Sequence, residues 1–343
     1  MNISPAKARI FSSATLCAAI FLFAFPSAGN AQQRAEGKLE KGHLAVAIAA
    51  TGPLYLPLLV AQEAGYFAKR GLSLNISQVS ATASAQGLVS GAIDIYQGGA
   101  AVITANLAGS DLIYVASAVD RSTLVLFGQK GINSIESLRG KSVATTSPGA
   151  FGEIAVRRSA KERGMQVGKD IKLLYHRSPQ EAFATFVAGN ADGLVITPPQ
   201  SNIARSKGYP VIVDYYERGL RIVGPGVGVS RAFSQGHLNT LKAYLMSYLD
   251  GVKKTLDDPL FAKKINGKYN KVSDAEVLDE DYQQGLKIWN RDMTVDPEAI
   301  RIVLEESAIP KANEADPKRF YDNSIIREIN RDYASKLFPG EIK

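Results

Sequence analysis

Apolar and polar positions follow one order twice along the chain. An apolar run at Leu44–Ala50 ends in the turn Thr51-Gly52-Pro53, and an amphipathic stretch continues from Leu54 to Lys69. Gly71 then precedes a strand pattern at Leu74–Val79, a helix that stops at Gly91 and a third strand at Ile93–Gln97. The same order returns as a strand at Ser142–Thr145, a helix to Arg163 before Gly164, a strand at Ile171–Tyr175, a helix to Gly189 and a strand at Gly193–Ile196. Short apolar runs bounded by Gly, Pro and hydroxyl residues read as buried strands. A glycine after a helix suits the left-handed residue that ends it.

The correspondence extends to residue types. Val46-Ala47-Ile48 with its Thr51-Gly52-Pro53 turn matches Val143-Ala144-Thr145 with Ser147-Pro148-Gly149, at an offset of 97. Val89-Ser90-Gly91-Ala92-Ile93-Asp94 matches Val187-Ala188-Gly189-Asn190-Ala191-Asp192 at an offset of 98. Two segments sharing nearly one offset predict two similar lobes. Alternating strands and helices predict parallel sheets covered by helices, because parallel neighbours need a crossover connection. Two further β-rich runs, Leu112–Phe127 broken by Asp120-Arg121-Ser122 and Val211–Val229 broken by Glu217-Arg218-Gly219, read as crossings between the lobes. From Asn239 onward the pattern is helical, with an amphipathic stretch at Leu241–Leu256 and an N-cap pair at Asp296-Pro297, and these helices are expected to pack on the first lobe.

The first 31 residues are of another kind. Lys7 and Arg9 precede an apolar run from Ala14 to Phe25, and small residues at Gly29-Asn30-Ala31 offer a signal-peptidase site. The expected divisions are a signal peptide over 1–31, the first part of lobe 1 over 32–121, lobe 2 over 122–218, and a returning strand with C-terminal helices of lobe 1 over 219–343. Removing the leader takes away two cations and no anion, so the net charge falls from +7 to +5. With both signs interspersed, this excludes a nucleic-acid-binding stripe. The single cysteine, Cys17, lies in the leader, so the exported chain has no thiol for a disulfide, thiolate catalysis or a cysteine metal site. The 343 residues, 45% hydrophobic and 21% charged, exclude collagen-like, disordered and many-span membrane classes.

Catalytic patterns are thin. There is no Gly-x-Ser-x-Gly elbow, Gly140-Lys141-Ser142 has Ile135 where a phosphate loop needs glycine, and Gly224-Pro225-Gly226-Val227-Gly228 fails the dinucleotide spacing. His43, His176 and His237 are too far apart in sequence for a metal pair on one helix. No cofactor, metal or catalytic residue is expected.

Two lobes joined by two crossings place a cleft where the carboxyl ends of their strands face each other. Its candidate residues are Thr51, Gly52, Leu54 and Tyr55 after the first strand, Ser80, Ala81 and Thr82 after the second, and Gly98 and Gly99 after the third. Lobe 2 offers Thr145, Thr146, Ser147, Gly149, Ala150 and Phe151, then Arg177, then Thr197 and Pro198. Several of these loops open helices, whose free N–H groups and dipoles favour anions. None contains a carboxylate, which argues against a polyamine, a quaternary amine or a metal cation. Each hydroxyl either holds the ligand or caps a helix. Tyr55 and Phe151 occupy corresponding places and either sandwich a ligand or pack in the core. Arg177 either pairs with an anion or is solvated, and Asp120 and Arg121 either meet the ligand or pair with each other, the second being the expectation.

The segments Gly52-Pro53-Leu54-Tyr55, Ala61-Gln62-Glu63-Ala64-Gly65-Tyr66-Phe67-Ala68-Lys69-Arg70-Gly71-Leu72, Leu88–Asp94 with Gly98-Gly99, Ser134–Lys141, and Ala191-Asp192 before Pro198 resemble the solute-binding proteins of nitrate/sulfonate/taurine-type ABC importers. The resemblance spans about Leu44 to Lys343. It implies an α/β chain with the type II periplasmic-binding-protein fold, a monomer in the periplasm that closes two lobes on a small neutral or anionic organic solute. Its partners would be permease subunits with their ATPase. A sensory ligand-binding module and, further off, a biosynthetic enzyme on the same fold are the alternatives. Where the family has a Gly-Ser pair and a later histidine, this chain has Gly149, Ala150 and Glu153, so the resemblance does not carry over sulfonate or nitrate as the ligand.

Overall fold

The structure, a computed structural model, describes residues 37–342; the leader, Cys17 and the expected start at Gln32 lie outside the described residues. The first lobe is β1 (His43–Ile48), α1 (Leu56–Glu63), α2 (Tyr66–Lys69), β2 (Ser73–Gln78), α3 (Ala81–Ser90), β3 (Ile95–Gly98), α4 (Ala101–Leu107) and β4 (Leu112–Ser117). The chain then crosses to β5 (Val125–Gly128), β6 (Lys141–Thr145), α5 (Phe151–Lys161), β7 (Ile171–Tyr175), α6 (Pro179–Val187), β8 (Gly193–Ile196), α7 (Gln200–Ser206) and β9 (Val211–Asp214). It returns as β10 (Gly226–Ser230) and continues through α8 (Arg231–Gly236), α9 (Leu238–Asp257), α10 (Pro259–Asn270), α11 (Ala275–Leu286), α12 (Pro297–Glu305), α13 (Ser324–Ile329) and α14 (Ser335–Leu337).

The two sheets share one plan, β2-β1-β3-β10-β4 in the first lobe and β7-β6-β8-β5-β9 in the second. Their registers repeat as well. His43 pairs with Ser73 and Lys141 with Ile171, each 30 residues apart. The aspartate in both copies of the repeat is structural: Asp94 accepts from the Ala45 amide at 2.9 Å, and Asp192 accepts from the Ser142 amide at the same distance.

The sheets are mixed rather than parallel. β10 runs antiparallel to β3 and β4, and β5 runs antiparallel to β8 and β9. A strand arriving straight from the other lobe enters at the carboxyl ends of the parallel strands and can only run back down between them. The crossings thus donate the fourth strand of each sheet. The stretch expected as one helix from Leu54 to Lys69 is two, because Gly65 (φ 73°) turns left-handed between α1 and α2.

The long helix α9 packs on α1 of the first lobe. The fit requires glycine at 251, where a Cβ would come within 2.3 Å of the Pro57 carbonyl oxygen and 2.6 Å of the Ala61 Cβ. Tyr244 and Tyr248 of α9 are fully buried, and the Gln97 side-chain amide at the end of β3 donates to the Tyr244 hydroxyl at 2.8 Å.

Candidate functional site

A cavity of about 120 Å³ lies between the carboxyl ends of the two sheets. Of the residues predicted for it, Leu54, Tyr55, Ser80, Ala81, Gly98 and Gly99 line the lobe 1 wall. Thr145, Thr146, Ser147, Ala150, Phe151, Arg177 and Thr197 line the lobe 2 wall.

Five predicted residues fall outside the lining. The Thr51 hydroxyl donates to the Asn270 side-chain carbonyl at 2.7 Å, and Thr82 is exposed on α3. Gly52 and Pro198 meet each other: with φ at 107°, Gly52 brings the position of a Cβ within 2.9 Å of the Pro198 carbonyl oxygen. The Gly149 amide donates to the Glu153 carboxylate at 2.9 Å, and a Cβ there would stand 3.3 Å from the Thr104 hydroxyl of α4. Gly99 carries the ring of Phe151, which a Cβ would meet at 2.5 Å. At these three places, Gly52 with Pro198, Gly99 with Phe151 and Thr104 with Gly149, the lobes touch, and the cleft between them is closed.

The hydroxyls at the strand ends differ in what holds them. Ser80 and Ser178 are helix caps, accepting from the Ala83 amide at 3.4 Å and the Glu181 amide at 3.2 Å. Thr145 and Tyr96, fully buried, and Thr123, 6% exposed, have hydroxyls with no partner among the described residues, and all three line the cavity. A buried hydroxyl left unpaired is costly, so these three are poised for a ligand or a water. Thr123 was not foreseen: the crossing Ser122-Thr123-Leu124 read only as a connection, although hydroxyls inside an apolar run were its signal. Tyr96 and the Ile222, Gly224 and Pro225 side of the second crossing also line the cavity and were also missed. Tyr96 folds its ring over Gly98, where a Cβ would meet it at 2.0 Å.

Tyr55 and Phe151 are 7% and 9% exposed, part of the main core and of the cavity wall at once. Both expected roles are therefore compatible with their positions. Arg177 is solvated: its side chain is 89% exposed on the rim and lies 3.6 Å from Glu181. Asp120 pairs with Arg221 of the other crossing at 3.5 Å rather than with Arg121, because the crossings run side by side and bring Arg121 opposite Arg221. Arg221 also reaches Asp296 at 2.9 Å.

Among the described residues no carboxylate lines the cavity. Glu153, where the resemblance led to a histidine, turns back to accept from Gly149, from the Tyr175 hydroxyl at 2.8 Å and from Arg157 Nε at 2.6 Å. Burial pushes its pKa up, but the Gly149 amide, Arg157 and Tyr175 outweigh burial and hold the carboxyl below its ordinary range. The starts of α3, α4, α5, α6 and α7 all lie at or beside the lining, and α5 has no side-chain cap at Ala150. Their first-turn N–H groups give the cleft a positive potential without a buried cation. His176 is structural, bonded to the Thr145 carbonyl at 3.1 Å and the Thr185 hydroxyl at 2.8 Å, and His237 stacks on Phe233. Among the described residues no cluster of three or more His, Cys, Asp or Glu side chains could hold a metal ion.

The pattern of the family described as NMT1/THI5 like matches residues 53–262, more than half of the chain and nearly all of both sheets. The chain belongs to the NMT1/THI5-like family. No curated protein sequence gives a significant match to it. Among solved structures, this NMT1/THI5-like chain is similar to a protein from Bordetella bronchiseptica RB50, with a TM-score of 0.75 and 19% identity over 87% of this chain and 99% of that one. The alkanesulfonate-binding protein SsuA from Xanthomonas axonopodis pv. citri, bound to MOPS, gives 0.68 and 18% over 82% of this chain and 97% of that one. The periplasmic nitrate-binding protein NrtA from Synechocystis PCC 6803 gives 0.70 and 13% over 90% of this chain and 93% of that one. The likeness establishes the fold: this NMT1/THI5-like chain has the type II periplasmic-binding-protein architecture of two mixed-sheet α/β lobes.

Proposed function

We propose that the chain is the substrate-binding component of an ABC importer, which captures a small neutral or anionic organic solute between its lobes and presents it to a membrane permease with its ATPase. The observation that carries this reading is the set of three unpartnered hydroxyls, Tyr96, Thr123 and Thr145, in an interlobe cavity that no carboxylate among the described residues lines and that helix starts ring. Hydroxyls and free amides can hold an oxyanion or a carbonyl, while Leu54, Tyr55 and Phe151 cover an apolar body. The cavity is smaller than usual ligand pockets of roughly 300–1,000 Å³, which favours a small solute. The likeness to alkanesulfonate- and nitrate-binding proteins supports a transport role, and the leader supports export to the periplasm. The chain binds its solute and does not transform it.

A thermal-shift screen of small sulfonates, carboxylates, aromatic acids and pyrimidines tests the reading. A solute at a hundredfold excess over its Kd stabilises the folded chain by about 2.7 kcal/mol, a rise of several degrees. Stabilisation by cationic solutes alone would overturn it.

A further inference from the structure

A chain of side-chain hydrogen bonds, buried at its centre, runs from one lobe to the other beside the cleft. The Thr51 hydroxyl, on the loop after β1, donates to Asn270 Oδ1 at 2.7 Å. Asn270 Nδ2 donates to Asn266 Oδ1 at 2.8 Å, and Asn266 Nδ2 donates to one carboxylate oxygen of Asp281 at 2.8 Å. The other oxygen accepts from Asn202 Nδ2 at 3.0 Å, and Gln284 Nε2 holds Asn202 Oδ1 at 3.0 Å. Asn202 sits on α7, which follows the cleft residue Thr197 in lobe 2, while Asp281 and Asn266 sit on α11 and α10, the latter packed on α1 of lobe 1. Asn202 is 2% exposed, Asn266 1% and Asp281 0%.

We propose that Asp281 is a clasp between the lobes that couples closure of the cleft to uptake of a proton. In the closed arrangement the carboxyl is out of water. Parting the lobes pulls Asn202 away and admits water to it. Among the described residues no cation compensates its charge when closed: Lys263 of α10 pairs with Asp279 at 3.1 Å, Arg205 of α7 pairs with Asp214, and Lys268 of α10 pairs with Glu63 at 2.8 Å. Lys264 of α10, Lys207 after α7, and Glu276 and Glu280 of α11 are exposed to solvent, and Glu280 adds like-charge repulsion. Burial pushes the Asp281 pKa up to about 7 against the pull of the two amide donors. A hydrated aspartate titrates at about 3.9. The closed form therefore binds the proton more tightly than the open form, so closure strengthens as pH falls from about 7 towards 4 and is insensitive to this group above that window.

The inference rests on reading the lobes as moving parts, as the proposed transport role requires, yet it is testable without a solute. In the full chain carrying Cys17→Ser, Val89→Cys and Val187→Cys place one exposed dye site on each lobe, and single-molecule energy transfer reports the interlobe distance. Without solute, the closed-to-open ratio should rise about thirtyfold from pH 8 to pH 5.5. Asp281→Asn, which keeps the shape and removes the proton site, should make the ratio independent of pH. Asn202→Ala, cutting only the interlobe bond, should lower the closed fraction at pH 5.5 while circular dichroism and a cooperative melt report an intact fold. A ratio that does not change with pH, or a pH response that survives Asp281→Asn, would overturn the clasp and leave the solute-binding reading standing. Failure of the solute screen alongside a pH-dependent ratio would sink that reading and keep the clasp.

Discussion

Thr104 on α4 of the first lobe and Gly149 at the mouth of α5 in the second face each other across the cleft, with room for no more than a tight contact: a Cβ at 149 would stand 3.3 Å from the threonine hydroxyl. The glycine has φ at 72°, a conformation that costs other residues about 1–2 kcal/mol. Position 149 thus carries two separable constraints, one of backbone and one of lobe closure.

Gly149→Ala should lower stability by about 1–2 kcal/mol through the backbone and weaken solute binding through the contact. Adding Thr104→Ala should restore affinity and leave the stability loss in place. Denaturant unfolding and calorimetric titration with a solute from the screen separate the two. Affinity that stays low in the double variant would show that the contact does not govern closure.

The hydroxyls make a second contrast. Thr123→Val and Thr145→Val remove unpartnered groups, so the solute-free protein should keep or slightly gain stability, since an unmade buried hydrogen bond is unfavourable. Each should weaken solute binding by about 0.5–1.5 kcal/mol, up to roughly tenfold in Kd. Ser80→Ala should do the reverse: it loses a helix cap worth about 0.5–2 kcal/mol of stability and leaves affinity nearly intact. Melting curves without solute, paired with titrations, check both halves.

What the sequence discloses here is what is local. Apolar strand runs and the glycines at 91, 164 and 189 depend on near neighbours in the chain, and both lobes were readable from them. So was the cleft, because strand ends and helix starts alternate at fixed intervals. The direction of β5 and β10 was not readable, since an apolar run looks the same whichever edge of the sheet it enters. Thr123 and Tyr96 escaped for a related reason: which side of a crossing or a buried strand faces the cleft is decided by the opposite lobe. Asn202, Asn266 and Asp281 lie far apart in sequence, and only helix packing brings their amides and carboxylate together.

Glu153 provides a prediction with a definite sign. Its folded-state carboxyl is held below the ordinary range, so the unfolded chain binds the proton more tightly. The stabilisation is present above the unfolded pKa of about 4.3 and is lost as pH falls through the folded value. Melting temperature should therefore drop on acidification below about pH 4.5 in the native chain. In Glu153→Gln the group no longer titrates, so the drop should be shallower, from a lower starting point at pH 7 because the ion pair to Arg157 is gone. Parallel melting curves between pH 3 and pH 7 for the two proteins would show that the Gly149, Arg157 and Tyr175 contacts do not bias the carboxylate, and that the turn at the start of α5 is held by the backbone alone.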